Sequence, residues 1–160
     1  MLLGAKKAAI TLTHFNYISE PMHATVIFDR KMPISGINDK GHATMFDASV
    51  AFSGTDSAAS PMETVLESLG ACSMMDIISI LRKMKKEPVI LNVALDAKRS
   101  EEHPKVFTSI HLNYRLESSD CSQDELEKAT RLSMETYCSV AAMLRRSGCT
   151  ITWSTDIIRD

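Results

Sequence analysis

The side chains in this sequence best suited to chemistry are two thiols and a carboxylate: Cys72, Asp76 four residues beyond it, and Cys138 in a separate segment. Two thiols on separate helices point to redox chemistry. The reactive form of cysteine is the thiolate, so a thiol with an ordinary pKa of about 8.5 must be lowered by a cation, a hydrogen-bond donor or a helix N-terminus. Cys72 falls in the middle of a helical pattern and gains nothing from the helix dipole. An ionised Asp76 one turn away raises its pKa unless a cation neutralises the carboxylate, and Arg30, His23 and His42 are the candidates for that cation. Cys138 is predicted at a helix N-terminus, where unpaired N–H groups stabilise negative charge. It fits either a resolving cysteine or the more reactive thiol of the two. The plainer reading makes Cys72 a small buried hydrophobe and gives Asp76 a purely structural partner. Cys121, in the polar Ser118-Ser119-Asp120 loop, and Cys149, at the entry to the last strand, read as bystanders.

The segment that positions Cys72 has a well-marked start. Ser60 reads as an N-cap, Pro61 occupies the first helical position where its missing N–H costs nothing, and Glu63 closes a capping box. From residue 61 to about 86, Met62, Val65, Leu66, Leu69, Cys72, Ile77, Ile80, Leu81 and Met84 fall in one stripe at about 100° per residue. This predicts a long, core-facing central helix over residues 60–86. Asp76 points into that stripe and needs a partner, because burying an unpaired charge is costly. Glu63 lies nine residues before Cys72 and faces nearly the opposite side, so it reads as a cap. The helix lacks the unbroken apolar run of roughly 18 residues expected of a membrane span.

Length and charge narrow the function classes. With 160 residues the chain fits one domain, residues 1–160, that can bury about two-thirds of its unfolded surface without crosslinks. A formal charge of −2 and 24% charged residues of mixed sign give no basic footprint for nucleic acid and no polybasic membrane patch. The N-terminal Met1-Leu2-Leu3-Gly4-Ala5-Lys6-Lys7 lacks the order and length of a secretory signal, so a cytoplasmic protein is expected. Among its 4 cysteines there is no CxxC pair, and no HExxH, GxSxG or Gly-rich phosphate loop occurs, so no cofactor or metal is expected. Most of the 10 methionines are read as core filler.

Along the chain, residues 8–17 and 23–29 are rich in β-branched and aromatic side chains and predict a hairpin about a turn at Ser19-Glu20-Pro21. Pro33, Gly36, Asn38-Asp39 and Gly41 read as a loop, residues 42–52 as a weak third strand, and residues 53–57 as a flexible linker. After the long helix, residues 89–98 and 106–116 alternate as strands across a His103-Pro104 turn. Ser122 caps a helix over 123–137, a shorter helix spans 139–146 and stops at Gly148, and residues 150–157 close as a strand. Arg145-Arg146 read as a solvated helix end, and Trp153 as packed beneath the last strand. The order is α+β: an N-terminal strand region (1–59), the central helix (60–86), then β-β-α-α-β (88–160).

This order, with Ser60-Pro61-Met62-Glu63-Thr64-Val65-Leu66, Gly70-Ala71-Cys72-Ser73, Asp76 and Ile80-Leu81-Arg82-Lys83, resembles the OsmC/Ohr family of osmotically inducible and organic hydroperoxide resistance proteins. The likeness spans nearly the whole chain. Cys138-Ser139-Val140 stands where the family carries its second cysteine, usually Cys-Pro-Val, with serine here in place of the proline. The resemblance implies an intertwined homodimer of antiparallel sheets around paired central helices, with active sites at the subunit interface. It implies thiol-dependent reduction of organic hydroperoxides, with Cys72 as the peroxidatic thiol, Cys138 as the resolving one, and a dithiol reductant restoring the pair. Two positions depart from the family pattern: Met62 stands where active members place a glutamate, and Arg30, the only arginine before the helix, follows the second strand and does not match the place of the family's thiolate-stabilising arginine. An OsmC-fold protein that binds an apolar small molecule at the dimer interface is the alternative.

Overall fold

The computed structural model describes residues 21–159. The expected strand over residues 8–17 lies outside them. Two three-stranded sheets and three α-helices form an α+β arrangement: β1 Ala24–Asp29, β2 Lys31–Asn38, β3 Ala43–Phe46, α1 Pro61–Lys83, β4 Ile90–Arg99, β5 Phe107–Glu117, α2 Gln123–Leu132, α3 Ser139–Arg146 and β6 Thr150–Ile158.

The first sheet, ordered β1-β2-β3, replaces the expected loop about Pro33 and Gly36 with a central strand. A proline removes a ladder donor and is tolerated in a sheet only at an edge or a bulge. Pro33 meets that condition, since the β1–β2 register shifts between Ile27 and Asp29 opposite it, and β3 pairs only from Ile34 onward. Gly36 lies under the Phe46 ring, whose Cε2 would stand 3.1 Å from an added Cβ. The third strand is shorter than expected because Asp47 turns the chain. Its carboxylate accepts from the Thr55 hydroxyl at 2.6 Å, the Ser57 hydroxyl at 2.7 Å and the N–H groups of Ala48, Thr55 and Ser57. The expected linker is thus wrapped around a buried carboxylate. These bonds, the Thr55 hydroxyl first, hold Asp47 well below the usual carboxylate range.

Helix α1 begins as the sequence requires. Glu63 N–H donates to Ser60 Oγ at 3.3 Å, and Ser60 N–H donates to Glu63 Oε2 at 2.7 Å. It ends three residues early, because Lys85 adopts φ 61° and its neighbour Lys86 donates its N–H back to Leu81 O, closing a left-handed C-terminal turn. By length and composition α1 is apolar enough to cross a membrane, with a mean hydropathy of 1.5 in its most apolar window, which the test for an unbroken apolar run missed. In the chain it packs instead on β4, α2 and α3, with Leu69, Ile77 and Leu81 fully buried.

The second sheet, ordered β4-β5-β6, forms the other wall of the core. β4 and β5 pair antiparallel, whereas β6 returns parallel to β5, with Ile110 opposite Ile151 and Leu112 opposite Trp153, because α2 and α3 carry the chain across the sheet. The sheet is therefore mixed. Strict alternation on β5 sends Ile110, Leu112, Tyr114 and Leu116 into the core. Within one chain the first sheet packs mainly on itself, and Val26, Phe28 (62% exposed) and, on α1, Met75 (66% exposed) remain uncovered.

Candidate active site

Three sequence-predicted residues converge. The Sγ atoms of Cys72 and Cys138 and a carboxylate oxygen of Asp76 all lie within 4.8 Å of one another. Cys72 and Asp76 share a face of α1 by their four-residue spacing. Cys138 reaches them through a feature that periodicity did not predict: the expected helix 123–137 ends as α-helix at Leu132 and continues as a π-turn, Ser133–Tyr137. Cys138 N–H donates to Ser133 O at 2.8 Å, a five-residue bond that widens the turn and fixes where the next helix starts. Cys138 then caps α3, its Sγ accepting from Ala141 N–H at 3.4 Å.

The two thiols differ in access. Cys72 is half-buried and Cys138 is 3% exposed. Burial pushes the Cys138 thiol up to about 11; the Ala141 N–H opposes this, and the neighbouring Cys72 and Asp76 add to it. The expectation that the helix terminus makes Cys138 the easier thiolate is corrected on this point, because one long N–H···S contact does not offset desolvation.

Asp76 finds its partner in Ser133, whose hydroxyl donates to Asp76 Oδ2 at 3.0 Å and also lies 3.2 Å from Ser73 O. The proposed cations are elsewhere. His23 lies exposed just before β1 with its backbone N–H donating to Asp39, the His42 ring pairs with Asn38, and Arg30 sits exposed at the β1–β2 turn with φ 63°; among the described residues no ion pair joins any of them to Asp76. Glu63 is occupied by the capping box and stands roughly 13 Å along the helix axis from Cys72, from its nine-residue separation at 1.5 Å per residue.

Sequence reasoning missed the supports of this cluster. Tyr114, fully buried on β5, donates its hydroxyl to Ser73 Oγ at 2.6 Å and reaches Met134 Sδ at 3.5 Å, while Ser73 donates to Gly70 O at 2.9 Å. Burial pushes the Tyr114 phenol up to about 12, so it stays a neutral donor. A tyrosine on the inward phase of an apolar strand was the available signal, since its hydroxyl needs a buried partner. Arg145 is not a free helix end: it donates to Met134 O in the π-turn and lies over the Trp153 ring, 5.9 Å from the centroid. Cys121 and Cys149 are buried elsewhere, and burial raises both thiols.

Comparison with known proteins identifies the family. The profile of the OsmC-like protein family matches residues 54–154, which contain the long helix and all three converging side chains. The chain belongs to the OsmC family. It is 37% identical over 126 residues to protein YhfA of Escherichia coli K12, covering 79% of this chain and 91% of that protein. Its fold superposes on an OsmC-like protein from Mycoplasma pneumoniae with TM-score 0.74 at 15% identity, over 88% of this chain and 99% of that one. An organic hydroperoxide resistance protein OsmC from Legionella pneumophila superposes with TM-score 0.63 at 13% identity, over 88% and 98%. OsmC-family membership thus rests on the profile and the YhfA identity; the two distant structures support the fold.

Proposed function

We propose that this OsmC-family chain is a cytoplasmic, homodimeric, thiol-dependent reductase of organic hydroperoxides. The observation that carries the reading is the accessible Cys72 thiol facing the buried Cys138 thiol within 4.8 Å. The Cys72 thiolate attacks the distal peroxide oxygen, the O–O bond breaks, and the alkoxide takes a proton and leaves as alcohol. Cys72 is then a sulfenic acid. The Cys138 sulfur attacks it, water leaves with the Cys138 proton, and a Cys72–Cys138 disulfide remains. A dithiol reductant returns both thiols by exchange. A disulfide needs sulfurs about 2.05 Å apart, so a gap of at most roughly 3 Å closes by side-chain rotation and a small shift of the π-turn.

The raised thiol of Cys138 supports this division of labour, because a resolving cysteine that stays protonated until sulfenate forms does not compete for peroxide. The uncovered apolar faces of β1 and α1 support the dimer. Consumption of cumene hydroperoxide with a dithiol reductant tests the reading. Turnover is expected to vanish in Cys72→Ser, and Cys138→Ser is expected to stall with a trappable sulfenic acid at Cys72. Undiminished turnover in Cys72→Ser defeats the assignment.

A second reading is favoured by Asp76, a carboxylate beside the thiols where a cation would activate them: an OsmC-fold binder of an apolar small molecule at the dimer interface. A copurifying apolar ligand in native mass spectra, together with no peroxide turnover, selects it.

A further inference from the structure

We propose that the reduced Cys72–Asp76–Cys138 cluster is a binding site for a thiophilic divalent cation, zinc above all. Two thiolates and a carboxylate are a zinc donor set, with typical Zn–S distances of about 2.3 Å and Zn–O of about 2.0–2.2 Å. Tetrahedral geometry at those lengths sets sulfur–sulfur separations of about 3.8 Å, and the three donor atoms already lie within 4.8 Å of one another. A side-chain rotation closes the difference.

The surroundings are those of a supported site. Cys72 and Asp76 present their donors from consecutive turns of α1, the four-residue spacing by which one helix grips a metal from one side. Ser133 donates to Asp76 Oδ2 at 3.0 Å, which supports the carboxylate from outside the ring of donors. Ala141 N–H donates to Cys138 Sγ at 3.4 Å, as outer-shell amides do to metal-bound sulfur. Cys72 and Asp76 are half-exposed, so the fourth position opens toward solvent and takes water. Binding is balanced: one Zn²⁺ replaces two thiol protons, and the site changes from one negative charge with two neutral thiols to a complex of net charge −1 with two protons released. The metal occupies the electron pairs that Cys72 would use on a peroxide, so the loaded protein is a resting form protected from oxidation.

The test uses full-length, reduced, chelator-treated protein titrated with Co²⁺ without oxygen. One equivalent is expected to bind with a thiolate-to-cobalt charge-transfer band and strong four-coordinate visible absorption, and Zn²⁺ is expected to displace it. Cys72→Ser and Cys138→Ser should each lose about half of the charge-transfer intensity, while Asp76→Asn and Ser133→Ala should weaken binding by about 10- to 100-fold, the usual effect of disturbing a ligand or its support. Circular dichroism of each variant checks folding, and a Cys121→Ser/Cys149→Ser variant should bind as wild type. No charge-transfer band, or a band unchanged by Cys72→Ser in a folded variant, overturns the proposal. The cobalt readout contains no peroxide, so metal binding without turnover sinks only the reductase reading, and turnover without metal binding sinks only this one.

Discussion

Removing the Tyr114 hydroxyl gives the sharpest test of how the thiol helix is held. Tyr114→Phe deletes a 2.6 Å bond to Ser73 Oγ and a 3.5 Å contact to Met134 Sδ in a fully buried place. Ser73 still donates to Gly70 O, so it is left short of one partner rather than orphaned. A buried neutral hydrogen bond is worth about 1 kcal/mol net, so the loss is expected near 1 to 1.5 kcal/mol, up to about tenfold in the unfolding equilibrium. Ser73→Ala should cost more, about 1–3 kcal/mol, because it strands the buried phenol beside a weak sulfur acceptor. The double variant should therefore be less destabilised than the sum, with a coupling of about 1 kcal/mol. Urea unfolding at one fixed protein concentration measures all four corners of the cycle, since the proposed dimer would make apparent stability concentration-dependent. Strict additivity would refute the claim that this bond ties β5 to α1 beneath Cys72.

Stability is expected to fall as pH rises above the ordinary thiol range toward 11, because the folded Cys138 thiol is raised to about 11 and the unfolded chain deprotonates first; Cys138→Ser should flatten that limb in thermal melts. Asp47 acts with the opposite sign: its carboxyl is depressed, so its contribution is lost as pH falls below the ordinary carboxylate range, and Asp47→Asn should weaken the acid dependence. Ser60→Ala should cost about 1 kcal/mol by removing the α1 cap, whereas Glu63→Gln, which retains an acceptor for Ser60 N–H, should leave hydroperoxide turnover within about twofold of wild type. At Gly70 an added Cβ meets only the tips of Leu95 at 3.1 Å and Val93 at 3.2 Å, so Gly70→Ala should be near neutral, the close contact offset by about 1 kcal/mol of helix propensity, while Gly70→Leu should cost about 1–3 kcal/mol in the same melts.

The parts of this fold that were legible are those set by local rules. The Ser60–Glu63 box, the apolar stripe of α1 and the alternation of β5 each repeat a period or a cap that needs no distant partner to be read. What was hidden depends on tertiary context. Pro33 and Gly36 carry loop signals, and only the β1 irregularity opposite Pro33 and the Phe46 ring over Gly36 let them stand in a central strand. The parallel return of β6 follows from where α2 and α3 cross, which no window of sequence reports. At the site, Cys72 and Asp76 share a helix and were placed together at once, whereas Ser133 sits 57 residues from Asp76 and has no local sign of its role.

Cys138 shows why the register of the π-turn governs the chemistry. A continuous α-helix through residues 133–137 advances about 100° per residue, and the wider turn absorbs that advance so that Cys138 leaves the helix extended, with ψ 103°, and restarts α3 as its cap. Four contacts hold the widened turn: Cys138 N–H to Ser133 O, Arg145 to Met134 O, and the Ser133 hydroxyl to both Asp76 and Ser73 O of α1. The same serine that begins the π-turn therefore also orients the carboxylate beside Cys72. The Cys138 bond uses the Ser133 carbonyl and the Asp76 bond its hydroxyl, so Ser133→Ala keeps the first and frees Asp76 alone. Burial of Cys138 follows from this placement rather than from its own helix terminus, which is why desolvation, and not the dipole of α3, sets its thiol.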